Sequence, residues 1–456
     1  MKTLDLVMER FEEQAPITVM IRAALENALS ATRLDDLFEK HAERQRNHEL
    51  LFSSVCDLMG LVALRIHPSP HASFQSNAKK LSVTVKAFYD KLQRMEPNLS
   101  RQLVRDTAGR MHQIVRRTGG TIKPLLPGYR VKILDGNHLR HTQRRIWELR
   151  QVNGAPLPGH ALVVLDPATR LAIDVFPCED GHASERSLLP QVLETVQPED
   201  VWIDDRNFCT ADFLLGIHHR KAFFVTRQHS QTPRYELIGK RVKAGFYETG
   251  KVFEQAARIY HTDGRSMIVR RVTIQLYQPT RDGDQEIHLF TNLPKKAATA
   301  LRVAQLYRQR WTIETAFADV AKCLEGEIET LGYPRAALFS FCSALVAFNL
   351  LSVVLAALRG AHGADTIEDT VSFYYMADEV AHTHRGLSIA VPDSYWVTYA
   401  EMTPGELARA LLSIARSITL MRYRKHKRGP KKKTKPMTKT RRQHVSTAKI
   451  LATATT

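Results

Sequence analysis

The sequence contains few cysteines, and none of them stands in a metal-binding or redox pair. Only five occur in 456 residues, and no two form a Cys-x-x-Cys motif. Scattered cysteines in odd number argue against a disulfide framework and against a structural zinc site. We therefore expect reduced thiols and a cytoplasmic location. The five residues are Cys56, Cys178, Cys209, Cys323 and Cys342.

A secretion signal and repeated apolar segments are also lacking. The first stretch, MKTLDLVMERFEEQ, carries acids throughout and no apolar core, so we do not expect a signal peptide. Residues 336–358 are free of charge and long enough to cross a bilayer. Serines and an asparagine inside this stretch, and the lack of a second such segment, favour a buried core helix. A protein with a single membrane span is the alternative.

Acidic residues are scarce relative to basic ones. The chain has 65 Lys and Arg against 47 Asp and Glu, a formal net charge of +18. Residues 422–442 supply 12 positive charges and no acid, which leaves +6 (18 − 12) for the rest. This excess indicates a polyanionic partner, most simply nucleic acid, although a solvated tail that aids solubility has the same composition. We expect residues 422–456 to form a mobile basic tail without base readout.

The rest of the composition is typical of a globular protein, with 44% hydrophobic and 25% charged residues. The length suffices for two or three domains. Helical patterns run to about residue 120, and short apolar strands then alternate with helices. Residues 231–290 have the pattern of exposed strands, and residues 296–325 that of one long helix. We find no internal repeat.

Several acids fall at the ends of predicted elements. Asp135 ends the strand in YRVKILDGNH, and Asp204 and Asp205 end the strand in EDVWIDD. Glu314 lies on the helix over 296–325. Carboxylates that converge from different elements are the ligands that Mg²⁺ uses in phosphodiester cleavage. Each acid alone also has an ordinary explanation, as a turn residue, a helix cap or half of an i,i+4 ion pair.

The stretch YRQRWTIETAF places a carboxylate beside phosphate-binding donors. On an ideal helix Tyr307, Arg310 and Glu314 project from one face. Apolar residues form a separate stripe about 100° away, which would pack the helix into a core.

Three motifs together, YRQRWTIE, ILDGNH and IDDRNF, resemble those of the DDE transposases of the bacterial insertion-sequence-four group, with their Tyr-x2-Arg-x3-Glu signature. The likeness covers roughly residues 125–360. It implies an α/β fold, a ribonuclease-H-like mixed sheet flanked by helices with a β-strand insertion before the catalytic helix. It further implies two Mg²⁺ or Mn²⁺ ions held by Asp135, Asp205 and Glu314. Asp204 is the weaker candidate, because the Arg-x-Phe that follows sets the register on Asp205.

The resemblance also implies DNA contacts. Tyr307 and Arg310 would hold the DNA backbone beside the scissile phosphate. Arg227, at the end of FFVTR, is a further candidate phosphate contact. Trp311 is a candidate for stacking on an unpaired base, with a place in the core as its alternative.

One position departs from the family pattern. The family has a lysine seven residues after the glutamate, where this chain has Ala321. The neighbouring Lys322 is rotated by about 100° on an ideal helix, and it stays a candidate DNA contact whose long stem would have to swing back. We expect His138 and His141 to belong to a basic loop that touches DNA, not to a metal site.

The resemblance implies a cut-and-paste transposase that binds its terminal inverted repeats and target DNA as a homodimer. Residues 1–122 would bind the DNA ends, and residues 123–230 with 291–360 would form the catalytic core. Residues 231–290 would be the β insertion, residues 361–421 a C-terminal region for dimerisation, and residues 422–456 the basic tail. The protein would be cytoplasmic and associated with the nucleoid. A catalytically inactive or domesticated DNA-binding protein of the same fold is the alternative.

Overall fold

The computed structural model describes residues 2–280, 283–426 and 443–454. Within them nine strands form one mixed sheet in the order β4-β3-β1-β5-β6-β10-β9-β8-β7, and β2 and β11 form a separate pair. β1 runs parallel to β5 and β5 parallel to β6, whereas the other neighbours in the large sheet are antiparallel. The strands are β1 (Arg130–His138), β2 (Ala155–Leu157), β3 (His160–Asp166), β4 (Leu171–Cys178), β5 (Asp200–Asp204), β6 (Phe223–Arg227), β7 (Arg234–Tyr247), β8 (Gly250–Tyr260), β9 (Ser266–Leu276), β10 (Glu286–Thr291) and β11 (His444–Ser446).

Helices surround the sheet, and most of them precede or follow it in the chain. They are α1 (Lys2–Gln14), α2 (Pro16–Ala28), α3 (Ala31–His41), α4 (Phe52–Ala63), α5 (Pro70–Asn77), α6 (Val85–Gln93), α7 (Pro97–Thr118), α8 (Trp147–Arg150), α9 (Leu189–Leu193), α10 (Ala211–His219), α11 (Ala300–Arg308), α12 (Trp311–Cys323), α13 (Pro334–His362), α14 (Ala364–Thr370), α15 (Phe373–Ala390), α16 (Asp393–Glu401), α17 (Pro404–Ser417) and α18 (Thr447–Ala454). The architecture is the α/β fold that the sequence predicts.

The central strands are apolar on both sides, so each face of the sheet carries its own core. In β1 and β5, Ile133 and Ile203 belong to the cluster that includes the N-terminal helices and α13. Their neighbours Leu134 and Trp202 face the opposite way, into the cluster formed with α9 and α10. Because side chains alternate along a strand, each strand-end residue is assigned to one face by its position.

The helix α13 is the long apolar segment of the sequence. It is the one helix among the described residues that is long and apolar enough to cross a membrane, and its most apolar window is entirely buried inside the protein. One polar residue in this helix, Asn349, has hydrogen-bond partners in the core. Its side-chain amide accepts from the Ala172 N–H at 2.7 Å and donates to the Ala172 carbonyl at 2.9 Å. The segment is therefore a core helix, as predicted.

Strands β7, β8 and β9 continue the central sheet beyond β10. β7 is its edge and is exposed along most of its length. Basic residues on this strand, such as Lys240, Arg241 and Lys243, are typical of an edge that must not pair with another chain.

Two predictions about elements were wrong. The expected single helix over 296–325 is broken between α11 and α12, where the N–H groups of Arg310 and Ile313 bond to carbonyls three residues back, at 3.0 and 3.1 Å. Such bonds tighten the chain into a 3₁₀ turn. Strand β1 does not end at Asp135 but continues to His138, because β3 still pairs with it there after β5 has ended.

The expected mobile tail over 422–456 is also partly wrong. Of this tail, residues 455–456 and the internal stretch 427–442 lie outside the described residues. After the internal stretch β11 pairs in parallel with β2, and Lys449 forms an ion pair with Asp180 at 3.2 Å. Before it, Arg422 donates to the backbone carbonyl of Glu13 at 2.9 Å. Both flanks of the basic segment are therefore docked on the folded protein.

Candidate active site

The register of β1 and β5 brings two of the predicted acids together. Ile133 lies beside Ile203 in this parallel pair of strands. Asp135 comes two residues after Ile133, and Asp205 comes two residues after Ile203. Both therefore project from the face of the sheet that α11 to α13 cover. The hydroxyl of Tyr307, near the end of α11, donates to the Asp205 carboxylate at 3.4 Å.

Arg310 joins the third acid to this pair. Its Nη1 lies 2.9 Å from Asp135 Oδ2, and its Nη2 lies 2.6 Å from Glu314 Oε1. The 3₁₀ turn between α11 and α12 carries Arg310, and Glu314 follows in the first turn of α12. The Arg310 side chain is only 11% exposed, whereas that of Glu314 is 50% exposed. A cationic group thus lies where the carboxylates converge.

The electrostatics show why this cation is needed. Burial raises the pKa of Asp135 to about 6, Arg310 opposes that rise, and the nearby Asp205 and Glu314 carboxylates add to it. Burial alone would lower the pKa of Arg310, but Tyr307 and the three acids raise it above its ordinary value. Crowded carboxylates are costly unless a positive charge lies among them.

The adjacent aspartates are distinguished by the face of the sheet. Asp204 ends β5 with its side chain on the face of Trp202, fully buried, and burial raises its pKa well above the ordinary value. A carboxyl that stays protonated is a poor ligand for a cation. Asp205 follows the strand in an extended conformation and is partly exposed. The geometry therefore supports Asp205 over Asp204.

The three acids suit a hard divalent cation. Their oxygens are the ligands that Mg²⁺ and Mn²⁺ prefer, and the Arg310 guanidinium stands in for a positive charge at their meeting point. Among the described residues, no three His, Cys, Asp or Glu side chains are close enough to hold an ion in this conformation. A cation held by Asp135 and Glu314 together therefore requires the Arg310 side chain to move away.

The remaining predicted DNA contacts lie at the end of β6 and at the two ends of α12. Arg227 ends β6 and pairs with Asp284 at 2.6 Å. Lys322 is exposed in the last turn of α12, eight residues beyond Glu314. Trp311 is 60% exposed, so its core alternative is wrong. With Arg170 and Arg308, it borders a cavity of about 290 Å³ between α12, α13 and the turn after β3.

The sequence analysis missed two residues near the aspartates, Glu185 and Asn207. The Glu185 carboxylate accepts from the side-chain amide of Asn207 at 2.6 Å, and Glu185 Oε1 lies 3.6 Å from His138 Nδ1. Nothing in the spacing of EDGHASERS marks this glutamate, because its partners come from two other segments. His138 stacks on the buried His160 with 5.0 Å between ring centroids.

Carboxylates brought together at one edge of such a sheet, with arginine and tyrosine beside them, are typical of proteins that act on the phosphodiester backbone of nucleic acids. Comparison with known families specifies the class further. Residues 126–348, just under half of the chain, match the family model described as "Transposase DDE domain". The family implies a function in DNA transposition.

A relative whose name also refers to transposition matches part of the chain. The protein named "Putative transposase y4zB" of Sinorhizobium fredii is 29% identical over 168 residues. The aligned region covers 36% of this chain and 45% of that protein, so the match spans less than half of either.

Proposed function

We propose that this protein is a cut-and-paste DNA transposase. It binds the terminal inverted repeats of its element, hydrolyses the DNA at those ends and joins the freed 3′-hydroxyl ends to target DNA. The observation that carries this proposal is the convergence of Asp135, Asp205 and Glu314 around one cationic group. The match of residues 126–348 to the transposase domain supports the reaction class.

The acids would hold two Mg²⁺ or Mn²⁺ ions, which activate the attacking oxygen and stabilise the leaving oxygen in this kind of reaction. Asp135 and Asp205 are suited to this role because Asp135 lies on β1, Asp205 directly follows β5, and the parallel register aligns these two strands. Glu314 approaches from α12 and is half exposed, so it can adjust to the ligand.

Arg310 and Tyr307 would bind the DNA backbone beside the acids. In the absence of DNA the guanidinium pairs with Asp135 and Glu314, and a phosphate would offer it an equivalent two-oxygen partner. Transfer of Arg310 from the carboxylates to a phosphate would leave the acids free for the cations. Binding of the DNA and of the metal would then favour each other.

Other basic and aromatic residues extend the proposed DNA surface. Arg227 and Lys322 would contact phosphates of the DNA backbone. The exposed ring of Trp311 would stack on an unpaired base, and the adjoining cavity of about 290 Å³ has an apolar floor for it. This assignment is supported by exposure and position.

The assembly follows the same reasoning. We propose a homodimer on DNA in the bacterial cytoplasm, associated with the nucleoid, with residues 1–122 reading the DNA ends and residues 361–421 forming the dimer contact. Exposed Arg116 and Arg117 at the end of α7 support a DNA-facing surface in the first of these regions. The β insertion over 231–290 would lie beside the DNA that enters the site.

The experiment is cleavage of DNA that carries the ends of the flanking element. Purified protein should cut these ends with Mg²⁺ or Mn²⁺ and not with EDTA, and it should leave free 3′-hydroxyls at the element ends. Specific end binding without cleavage under any divalent cation would instead support the inactive DNA-binding protein.

A further inference from the structure

We propose that Glu185 is a positioning residue that holds the chain segments of the two catalytic aspartates together, and this inference rests on the proposed function. Glu185 lies in a 3₁₀ turn, Glu185–Leu188, that precedes α9. It has contacts with the segment after each aspartate. Its side chain is 15% exposed. It belongs neither to the acid cluster, which is Asp135, Asp205 and Glu314, nor to the proposed DNA surface.

The first contact is with the segment after Asp205. Glu185 accepts a hydrogen bond from Asn207 Nδ2 at 2.6 Å. The next residue, Arg186, donates from Nε to the Asn207 carbonyl at 2.7 Å. Asn207 lies two residues after Asp205, in the turn Arg206–Phe208. Adjacent side chains of opposite charge thus bind both the side chain and the backbone of this turn.

The second contact is with the residue after Asp135. A Cβ atom added to Gly136 would lie 1.8 Å from Glu185 Oε1, so the carboxylate occupies the space that any side chain there would need. Gly136 also donates its N–H to Asp135 Oδ1 at 2.9 Å. The close packing of Glu185 on Gly136 therefore restrains the backbone that orients the Asp135 carboxylate.

The alternation of side chains shows that Glu185 acts through these contacts and not as a ligand. Asp135 projects toward Arg310, whereas Gly136 and His138 point to the opposite face of β1. Glu185 packs on that opposite face. The glutamate and the cation site are thus separated by the strand, and Glu185 influences the aspartates from behind.

A carboxylate is suited to this position for electrostatic reasons. Glu185 Oε1 lies 3.6 Å from His138 Nδ1, and Glu185 Oε2 accepts from Asn207. One oxygen therefore accepts a hydrogen bond and the other lies near an imidazole, which suits a largely buried carboxylate. Groups that hydrogen-bond to metal ligands commonly change metal affinity by about 10-fold to 100-fold when they are replaced, and Glu185, which acts through the neighbouring backbone, should fall at the lower end.

The test measures Mn²⁺ binding to the full chain without DNA, from the electron paramagnetic resonance signal of the free ion. Asp135→Asn should weaken binding and so assign the signal to this site. Glu185→Ala should weaken Mn²⁺ binding by about 10-fold, and Glu185→Gln, which still accepts from Asn207, by less. Glu194→Ala, at an exposed glutamate after α9, is the matched control and should bind as the wild type does.

Asn207→Ala provides a second variant, which removes the side-chain amide that donates to Glu185 and leaves Glu185 in place. If Glu185→Ala does not fold, as judged by circular dichroism, Asn207→Ala decides, and it should weaken Mn²⁺ binding in the same direction. Equal Mn²⁺ affinity of the folded variants and Glu194→Ala would overturn the proposal, even if their thermal stability fell. A wild type that binds Mn²⁺ through Asp135 but never cleaves element ends would overturn the proposed function alone.

Discussion

At the scale of single residues, the identity of the acids depends on which way each side chain points. Asp204 and Asp205 are neighbours in the chain, yet one is buried on the face of Trp202 and the other lies beside Tyr307. Charge and position in the chain are almost identical for the two. Their chemistry differs because the Asp204 carboxyl is kept from water, whereas Asp205 is partly exposed and accepts from the Tyr307 hydroxyl.

Amide replacements test the three proposed ligands. Asp135→Asn, Asp205→Asn and Glu314→Gln should each lower cleavage by about 100-fold to 1,000-fold, because ligation of the ions contributes several kcal/mol to the transition state. Binding to end DNA should change little. The measurement is single-turnover cleavage together with a binding isotherm.

Asp204→Asn is the internal control for that series. Its carboxyl is buried and its pKa is well above the ordinary value, so an amide of the same shape should preserve most of the activity. Loss of cleavage as large as that of Asp205→Asn would show that the assignment of the second ligand is wrong.

Arg310 gives a second prediction at this scale. Arg310→Met removes the cation between Asp135 and Glu314, so Mn²⁺ should bind about tenfold more tightly in the absence of DNA. Affinity for DNA should fall at the same time. Isothermal titration of each ligand measures both effects.

Arg308→Met is the matched control, since Arg308 is exposed and pairs with Glu248 outside the acid cluster. It should leave Mn²⁺ affinity unchanged. If Arg310→Met also left it unchanged, the guanidinium would not compete with the metal, and the proposed exchange between carboxylates and phosphate would be untenable.

At the scale of elements, α13 shows how a long apolar helix is held inside the hydrophobic core of a folded protein. It contacts α7, α4 and β4, and Asn349 satisfies the N–H and the carbonyl of Ala172 at the point where β4 begins. That pair of bonds sets the register between the helix and the sheet. The same helix lines the cavity beside Trp311, so its position also affects the proposed DNA surface.

Asn349→Leu should therefore destabilise the fold although it makes the helix more apolar. Two backbone groups of Ala172 would be left without their partners, at a cost of about 2–4 kcal/mol. Ser352→Ala is the control, because the Ser352 hydroxyl is buried without a hydrogen-bond partner among the described residues. Denaturant unfolding should rank Asn349→Leu clearly below Ser352→Ala. A stabilising Asn349→Leu would contradict this account of α13 as a core helix held by Asn349 and would favour the alternative of a membrane span.

At the scale of the whole molecule, positive charge is concentrated in a segment whose two ends are docked. Arg422 bonds to the end of α1, and β11 pairs with β2 after the basic residues. The segment is thus attached to the N-terminal helices at one end and to β2 at the other. Removal of everything from residue 422 would delete folded contacts along with the charge.

The test of the basic segment is accordingly a replacement in place. Changing the Lys and Arg residues within 427–442 to Gln, with 443–454 retained, should weaken binding to end DNA and to scrambled DNA alike. The slope of log affinity against log salt should flatten by about 0.9 for each phosphate of duplex DNA that the segment no longer neutralises. Preference for the ends should persist, because base contacts carry specificity. Loss of that preference with unchanged affinity for scrambled DNA would make the segment a specific reader.

The sequence alone determined the elements and the chemical types at the site. Short apolar runs predicted the central strands, and the apolar stripe that begins at Leu306 predicted the helical region that carries Glu314. The preference for Asp205 over Asp204 also followed from the motif. These features are local, since propensity, alternation and spacing depend on residues within a few positions of one another.

Only the tertiary structure decided which residues meet. The ion pairs of Arg310 with Asp135, the packing of Glu185 on Gly136 and the pairing of β11 with β2 join segments far apart in the chain. The break before Trp311 has the same origin, because the turn directs Arg310 into the acids. A single sequence carries no signal for such contacts: each depends on the register of strands and on the packing of helices, which all parts of the chain set together.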